Sequence, residues 1–296
     1  MRSDIDQAIV LLKRGDASAM EKAVALLQRS VFSFSMRVCG QRQDAEDTMQ
    51  EVLVKSLPYL PKFESSKALA VWLYKVAKNR CLISRRKSKF APKVELSLEE
   101  LMPDRDDFER LDGRISASPE GAAIRGEQGQ RLREAIRNLP PNYRIVLVLR
   151  DMEGLTDEEV AEITGLRPGT VRVRLHRARL FVRKEVAKLN VRAKNTVARR
   201  AHRSVEAPSR SARCKKIFAA LSDYLDGTLD DFSCEELEAH MNGCEPCKKF
   251  LRSVENTIKQ CRQLPSDRPD PNEAAALRKQ ILATYSRALA NADAGK

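Results

Sequence analysis

His240, Cys244 and Cys247 are spaced i, i+4 and i+7 in the stretch HMNGCEPC. At a helix end those intervals bring one imidazole and two thiols within about two turns of one another. An imidazole and two thiolates supply three corners of a tetrahedral zinc site, structural or redox-sensing. Pro246 suits the first turn of a new helix. That puts Cys244 at the helix start, where the dipole favours a thiolate. The fourth donor must come from upstream. Cys214 starts an earlier helix whose Phe218, Leu221 and Leu225 would pack beneath the site, and Cys234 lies one and a half turns before His240. Cys261 falls on the apolar stripe Phe250, Leu251, Val254, Ile258 and reads as core.

A second chemistry lies in Leu155–Arg179, LTDEEVAEITGLRPGTVRVRLHRAR. Thr156 can cap a helix, Glu159 completes a capping box, and Leu155 with Val160 can form a hydrophobic staple. Gly165 can end that helix at positive φ, and Thr170 opens another. Val171, Leu175, Ala178 and Val182 recur at helical spacing and face the core, leaving Arg172, His176, Arg177 and Arg179 largely outside that stripe. This is the layout of a helix-turn-helix that reads a major groove, since a guanidinium donates two parallel hydrogen bonds to guanine edges or phosphates.

Two further faces stand in the first third. In DAEDTMQEVLVKSL, Asp44 can cap, Met49, Val52 and Leu53 point inward, and Asp47, Gln50 and Glu51 share another face. In LAVWLYKVAKNRCLISRRK, Leu69, Leu73, Val76 and Ala77 point inward. Trp72, Asn79 and Arg86 repeat every seven residues along one side, with Lys75, Lys78 and Arg85 nearby. An aromatic plane, an amide and cations in one strip suit unstacked bases and their backbone.

The elements that must carry these faces are helical, and no stretch alternates as a strand does. The expectation is an all-α chain: a helical block over 1–88, a linker over 89–120, a second block over 121–188 broken by Pro140-Pro141, a basic linker over 189–212, a cysteine block over 213–263, and a tail over 264–296. In that tail Leu277, Ile281, Leu282, Tyr285 and Leu289 lie on one stripe. The 296 residues carry 54 Lys+Arg against 41 Asp+Glu, a net charge of +13, which favours polyanionic partners. No apolar run reaches the roughly 20 residues that span a bilayer, and the N-terminus has acids where a secretory signal has an apolar core. No membrane partner and a cytoplasmic location are expected. Thiols there stay reduced, so Cys39 and Cys81 read as small core residues. No paired carboxylates sit at metal-binding spacing on the arginine-rich face and no phosphate-binding glycine loop appears, so catalysis is not expected. The competing reading is a helix-turn-helix regulator that binds DNA without polymerase.

DAEDTMQEVLVKSL followed by VWLYKVAKNRCLISRR resembles region two of the extracytoplasmic-function class of RNA polymerase sigma factors. AIRNLPPNYRIVLVLRDMEGLTDEEVAEITGLRPGTVRVRLHRAR resembles their region four, and the likeness covers roughly 1–188. It implies two small helical domains on a flexible linker that bridge core polymerase and promoter DNA. It assigns Asp47, Gln50 and Glu51 to the grip on the polymerase clamp. Lys62, Phe63, Glu64, Ser65 and Ser66 become the loop that captures a flipped base of the −10 element, with Trp72 and Asn79 beside it. Arg172, Val173, His176 and Arg177 face the −35 element; at Val173 the family often has a small polar residue, and valine, which cannot hydrogen-bond a base edge, can offer its methyls to a thymine methyl. Residues 213–248 resemble a zinc-binding anti-sigma domain with the pattern HxxxCxxC, which makes Cys214 the fourth ligand beside His240, Cys244 and Cys247. Such a domain fused to a sigma factor implies an intramolecular contact that regulates it in cis.

Overall fold

The structure is a computed structural model that describes residues 2–14, 16–84, 95–103, 120–195 and 212–294. In chain order its helices are α1 (Arg2–Leu12), α2 (Ala17–Cys39), α3 (Arg42–Ser56), α4 (Ser66–Ser84), α5 (Leu98–Leu101), α6 (Glu120–Asn138), α7 (Pro141–Leu147), α8 (Asp157–Thr164), α9 (Pro168–Asn195), α10 (Ala212–Leu225), α11 (Asp231–Gly243), α12 (Glu245–Gln263) and α13 (Pro271–Ala294). A 3-10 turn at Leu60–Lys62 precedes α4, and a π turn at Val148–Met152 follows α7. The described residues contain no strand. Arg85, Arg86 and the side chains of Cys214, Tyr285 and Leu289 lie outside what is described.

The helices gather into two compact units, residues 1–92 with 153–166 and 265–296, and residues 93–152 with 167–264. In the first, α1 to α4 pack around Leu27, Phe32, Phe34, Leu53, Leu69, Leu73 and Tyr74, all buried. Each such side chain contributes about 1.5–3 kcal/mol when taken from water. Asp16 caps α2 by accepting from the Ala19 amide at 2.7 Å, and Gly40 ends it at φ 77°. The face of α3 is as expected, with Met49, Val52 and Leu53 buried, but its start is not. The helix begins at Arg42 with Gln41 at the cap, so Asp44 lies inside the first turn, where its charge still complements the dipole.

Cys39 and Cys81 are buried as read, yet they are joined in a disulfide rather than reduced. Their Cα atoms stand 5.2 Å apart, inside the bridging range, because α2 and α4 pack together. A separation of 42 residues gives no local cue to that proximity.

In the second unit α9 is central, with α5, α6, α7, α10 and α12 against it. Val171, Leu175, Ala178 and Val182 are fully buried, as their spacing requires. Pro141 stands at the start of α7, and Arg144 donates from Nη2 to the Leu139 carbonyl at 2.8 Å, satisfying the end of α6. Part of the expected first linker is packed here: Leu96 and Leu101 are buried, and the Leu96 amide donates to the Tyr143 hydroxyl at 3.2 Å.

Candidate nucleic-acid faces and metal centre

In the first unit Asp47 and Gln50 are exposed on α3, and Asp47 accepts from Gln43 Nε2 at 3.3 Å. Glu51 is half-buried and held by Lys55 at 2.6 Å and Arg80 at 2.8 Å. The Lys55 hydrogen bond, aided by Arg80, holds its carboxyl below the ordinary value. All three expected clamp residues share one side of one helix.

The expected base-capture loop lies beside α4. Phe63 and Trp72 meet at 6.0 Å between ring centroids, and a cavity of about 340 Å³ is lined by Phe63, Ser65, Lys67, Trp72 and Lys75. That volume suits one unstacked base between aromatic and cationic groups. Lys62, Glu64 and Ser65 are exposed, Phe63 and Ser66 half-buried, and Asn79 is exposed further along α4. Tyr59 was missed. It is exposed, its ring lies 5.8 Å from Trp72, and Lys62 sits over it. The signal in the sequence is an aromatic three residues before the loop.

Segment 153–166, the start of the helix-turn-helix, packs on this same α4. Its capping box is formed: the Glu159 amide donates to Thr156 Oγ1 at 3.3 Å and the Thr156 amide to Glu159 Oε2 at 2.8 Å. Gly165 ends α8 at φ 73°. Glu153 is fully buried, accepting from Arg37 Nη1 at 3.0 Å and from the Tyr74 hydroxyl at 2.7 Å. Burial pushes its carboxyl above the ordinary value despite Arg37 and Tyr74. Burial, with the nearby Glu153 charge, pushes the Tyr74 phenol well up too. Lys78 donates to the Ile163 carbonyl at 2.8 Å, and burial, with Lys75 nearby, lowers its pKa. The Glu162 carboxylate helps line the base-sized cavity. An acid there opposes a phosphate backbone.

On α9 the expected readers part company. Arg172 and Val173 are exposed, Val173 at 51%, and Arg177 is half-buried. Helix α9 begins at Pro168, two residues before Thr170. Arg179, expected outside the apolar stripe, is 1% exposed. It donates to Asp151 from Nε and Nη2 at 2.9 and 2.7 Å, to Asp226 from Nη1 and Nη2 at 2.7 and 2.9 Å, and to Ser222 at 2.7 Å. Burial opposes its charge, but the two carboxylates outweigh that and raise its pKa. Phe250 of α12 stacks at 5.0 Å on Phe218 of α10, and Arg183 of α9 lies over the Phe250 ring at 4.3 Å.

His176 is 8% exposed, its ring 6.2 Å from that of Phe218, and its Nε2 has no hydrogen-bond partner among the described residues. Burial first, then the Arg179 and Arg177 charges, lower its pKa to about 4, against a small opposing effect of Asp226. The neutral ring is therefore the folded form. Its contribution to stability is complete above the unfolded pKa near 6.5 and is lost as pH falls toward about 4. Thermal unfolding followed from pH 7 to pH 4 should show a loss of about 3 kcal/mol from this group. His176→Leu should flatten that slope; an unchanged slope would contradict the assignment.

The metal-ligand atoms of His240, Cys244 and Cys247 lie within 4.8 Å of one another. Asp230 caps α11, accepting from the Ser233 amide at 2.9 Å, and His240 sits in its last turn. Cys244 is the residue between α11 and α12, and Pro246 is in the first turn of α12. Cys261 is buried in the α12 stripe with Phe250, Val254 and Ile258. Among the described residues Cys234 does not join the cluster. Its Sγ donates to the Leu229 carbonyl at 3.8 Å. One imidazole and two thiols converging at a helix junction fit a zinc ion.

Known proteins resemble the chain in three stretches. Residues 23–90 match the family model "Sigma-70 region 2", 129–182 match "Sigma-70, region 4", and 214–248 match "Putative zinc-finger". The ECF RNA polymerase sigma factor SigW of Bacillus subtilis is 28% identical over 189 residues, which cover 64% of this chain and all of that protein. The RNA polymerase sigma-H factor of Pseudomonas aeruginosa is 30% identical over 186 residues, 62% of this chain and 94% of that one. The ECF RNA polymerase sigma-E factor of Haemophilus influenzae is 30% identical over 185 residues, 62% and 96% of the two chains. With both sigma regions in their order, nearly whole relatives covered, and the helices and aromatic cavity placed as described, the chain belongs to the ECF RNA polymerase sigma factors.

Proposed function

We propose that this chain directs core polymerase to promoters and that its own C-terminal third holds it in a restrained form. In this reading 1–88 is region two, 121–188 is region four, 213–263 is a zinc-binding domain, and 89–120 and 189–212 are the links. Asp47, Gln50 and Glu51 bind the polymerase clamp. The loop Lys62–Ser66, with Trp72 and Asn79, holds an unstacked −10 base. Stacking is worth roughly 1–3 kcal/mol per base, which offsets a large part of the extrusion cost of a few kcal/mol. Arg172, Val173, His176 and Arg177 address the −35 element, Val173 by apolar contact with a thymine methyl. The chain acts in the cytoplasm as an initiation factor and performs no catalysis of its own.

The observation that carries the restraint is Arg179, gripped by Ser222 of α10 and by Asp226 in the turn that follows it. Phe218 of the same helix lies against His176. A reader helix with one reader ring covered cannot present all four side chains to a groove. Cys214, His240, Cys244 and Cys247 would hold zinc, which ties α10 to the α11–α12 junction as a structural cross-link. The orphan His176 Nε2 is a cost of this form, about 1–3 kcal/mol, recovered when a base or phosphate replaces Phe218. The test is run-off transcription with core polymerase on a pool of DNA carrying random promoter segments. Asp226→Asn should raise start-specific transcripts several-fold, and Gln50→Arg with Glu51→Arg should abolish them.

A further inference from the structure

We propose that Cys39 and Cys81 form a reversible redox site that sets the rigidity of region two, a proposal resting on the reading of the chain as a cytoplasmic sigma factor. Cys39 is the last residue of α2, and Cys81 lies in the last turn of α4. Both are buried, and they are bonded to each other. In a compartment that keeps thiols reduced, such a bond serves as a redox-responsive one rather than a permanent staple. Thr48 of α3 completes the site. It is 2% exposed, and its Oγ1 stands 3.8 Å from Cys39 Sγ and 3.9 Å from Cys81 Sγ. The surroundings accommodate the reduced form as well. The Asp44 carbonyl, 4.0 Å from Cys39 Sγ, can accept a thiol proton, and the Thr48 hydroxyl can serve either sulfur.

The position of the bond decides what it controls. The separation of 42 residues between the two cysteines encloses every contact assigned above to region two: the α3 face of Asp47, Gln50 and Glu51, the loop 62–66, and the α4 strip that carries Trp72 and Asn79. Closing the bond removes open conformations of that segment from the ensemble, more effectively for a long loop. It also pre-orders the face that holds an unstacked base. The oxidised chain is therefore the tighter-binding form and the reduced chain the looser one. At 0% and 1% exposure the sulfurs are reached by fraying at the end of α2, where Gly40 at φ 77° already stops the helix. That route admits a small oxidant of the peroxide class. The O–O bond of hydrogen peroxide breaks as one sulfur takes an oxygen, and a first water leaves. The second thiol attacks that sulfur, the S–O bond breaks as the S–S bond forms, and a second water leaves. Two thiols lose two electrons and one peroxide gains them. A dithiol reductant reverses the bond and ends as a disulfide itself.

The test uses the full chain and a control, Cys39→Ala with Cys81→Ala, that cannot form the bond. Peroxide also reaches the thiols of the metal centre, and the control carries that effect unchanged. Chains treated with hydrogen peroxide or with a dithiol are alkylated and digested without reductant. Peptides holding Cys39 and Cys81 should be joined in the first sample and separately alkylated in the second. Hydrogen exchange at residues 42–81 should be roughly tenfold or more slower in the oxidised wild-type chain than in the reduced one, with no such difference in the control. A single-stranded oligonucleotide carrying the −10 sequence recovered from the random-promoter pool should bind the oxidised wild-type chain several-fold more tightly than the reduced one, again with no such difference in the control. Failure of the bond to form under peroxide, or its survival in dithiol, overturns the redox site. A reversible bond with unchanged exchange, or with a redox effect on binding that the control shares, overturns its hold on region two. A reversible bond that slows exchange, while no form of the chain supports start-specific transcription with core polymerase, overturns the sigma-factor reading instead.

Discussion

Replacing Cys244 and Cys247 with serine should unfold residues 212–264, abolish zinc binding, and raise start-specific transcription. Structural zinc supplies about 10–16 kcal/mol in zinc-finger peptides, and a helical module of this size buries too little surface to be more than marginal without such a cross-link. Three of the donors lie within 4.8 Å of one another. The buried apolar side chains of the three helices, among them Ile217, Phe218, Leu221, Leu237, Met241, Phe250, Val254 and Ile258, make a small core. Once α10 melts, Asp226 and Ser222 leave Arg179, and Phe218 leaves His176. Asp151 remains on Arg179, so α9 itself keeps its principal partner. Metal analysis should find about one zinc per wild-type chain and none in the double variant. Loss of zinc with an unchanged or lower transcript yield would show that the C-terminal third does not restrain α9.

The second large effect belongs to Glu153. Glu153→Ala should lower the stability of the first unit by about 3–5 kcal/mol, the usual result of removing one partner from a buried ion pair. The guanidinium of Arg37 and the phenol of Tyr74 lose the carboxylate that both contact. Glu153→Gln retains an acceptor for Tyr74 and should cost less. The change also loosens the segment that carries Ile163 and Glu162, so Lys78 and the cavity beside Trp72 become free for nucleic acid. Binding of a single-stranded −10 oligonucleotide should therefore tighten several-fold while the melting temperature falls. A variant as stable as wild type would contradict the role given to the buried pair.

Local signals made much of this legible from residue order. Thr156, Glu159 and Gly165 declare a helix start and stop within ten residues, and the structure forms all three features. The stripe Val171, Leu175, Ala178, Val182 needs only the helical period, and His240, Cys244 and Cys247 converge because one junction holds all three. Arg179 was not legible. Its partners stand 28 and 47 residues away, so the spacing that excludes it from the apolar stripe says nothing of two carboxylates waiting at its tip. Glu153 and Arg37 are 116 residues apart, and a lone acid after an apolar run looks like a helix end rather than a buried anchor. Asp44 failed as a cap for a smaller reason: α3 starts three residues earlier, and Glu46 pairs with Arg42 at 2.7 Å across the first turn. Cys39 and Cys81 failed because their bond depends on how two distant helices cross.

The most direct measurement is start-site mapping of transcripts made by core polymerase on the random-promoter pool, with the wild-type chain and with Asp226→Asn. Transcripts from the two should begin behind the same −35 and −10 sequences, with Asp226→Asn yielding several-fold more, and both should fall steeply with salt as phosphate contacts are lost. Transcripts without a shared upstream sequence, or none from either protein, would contradict the account.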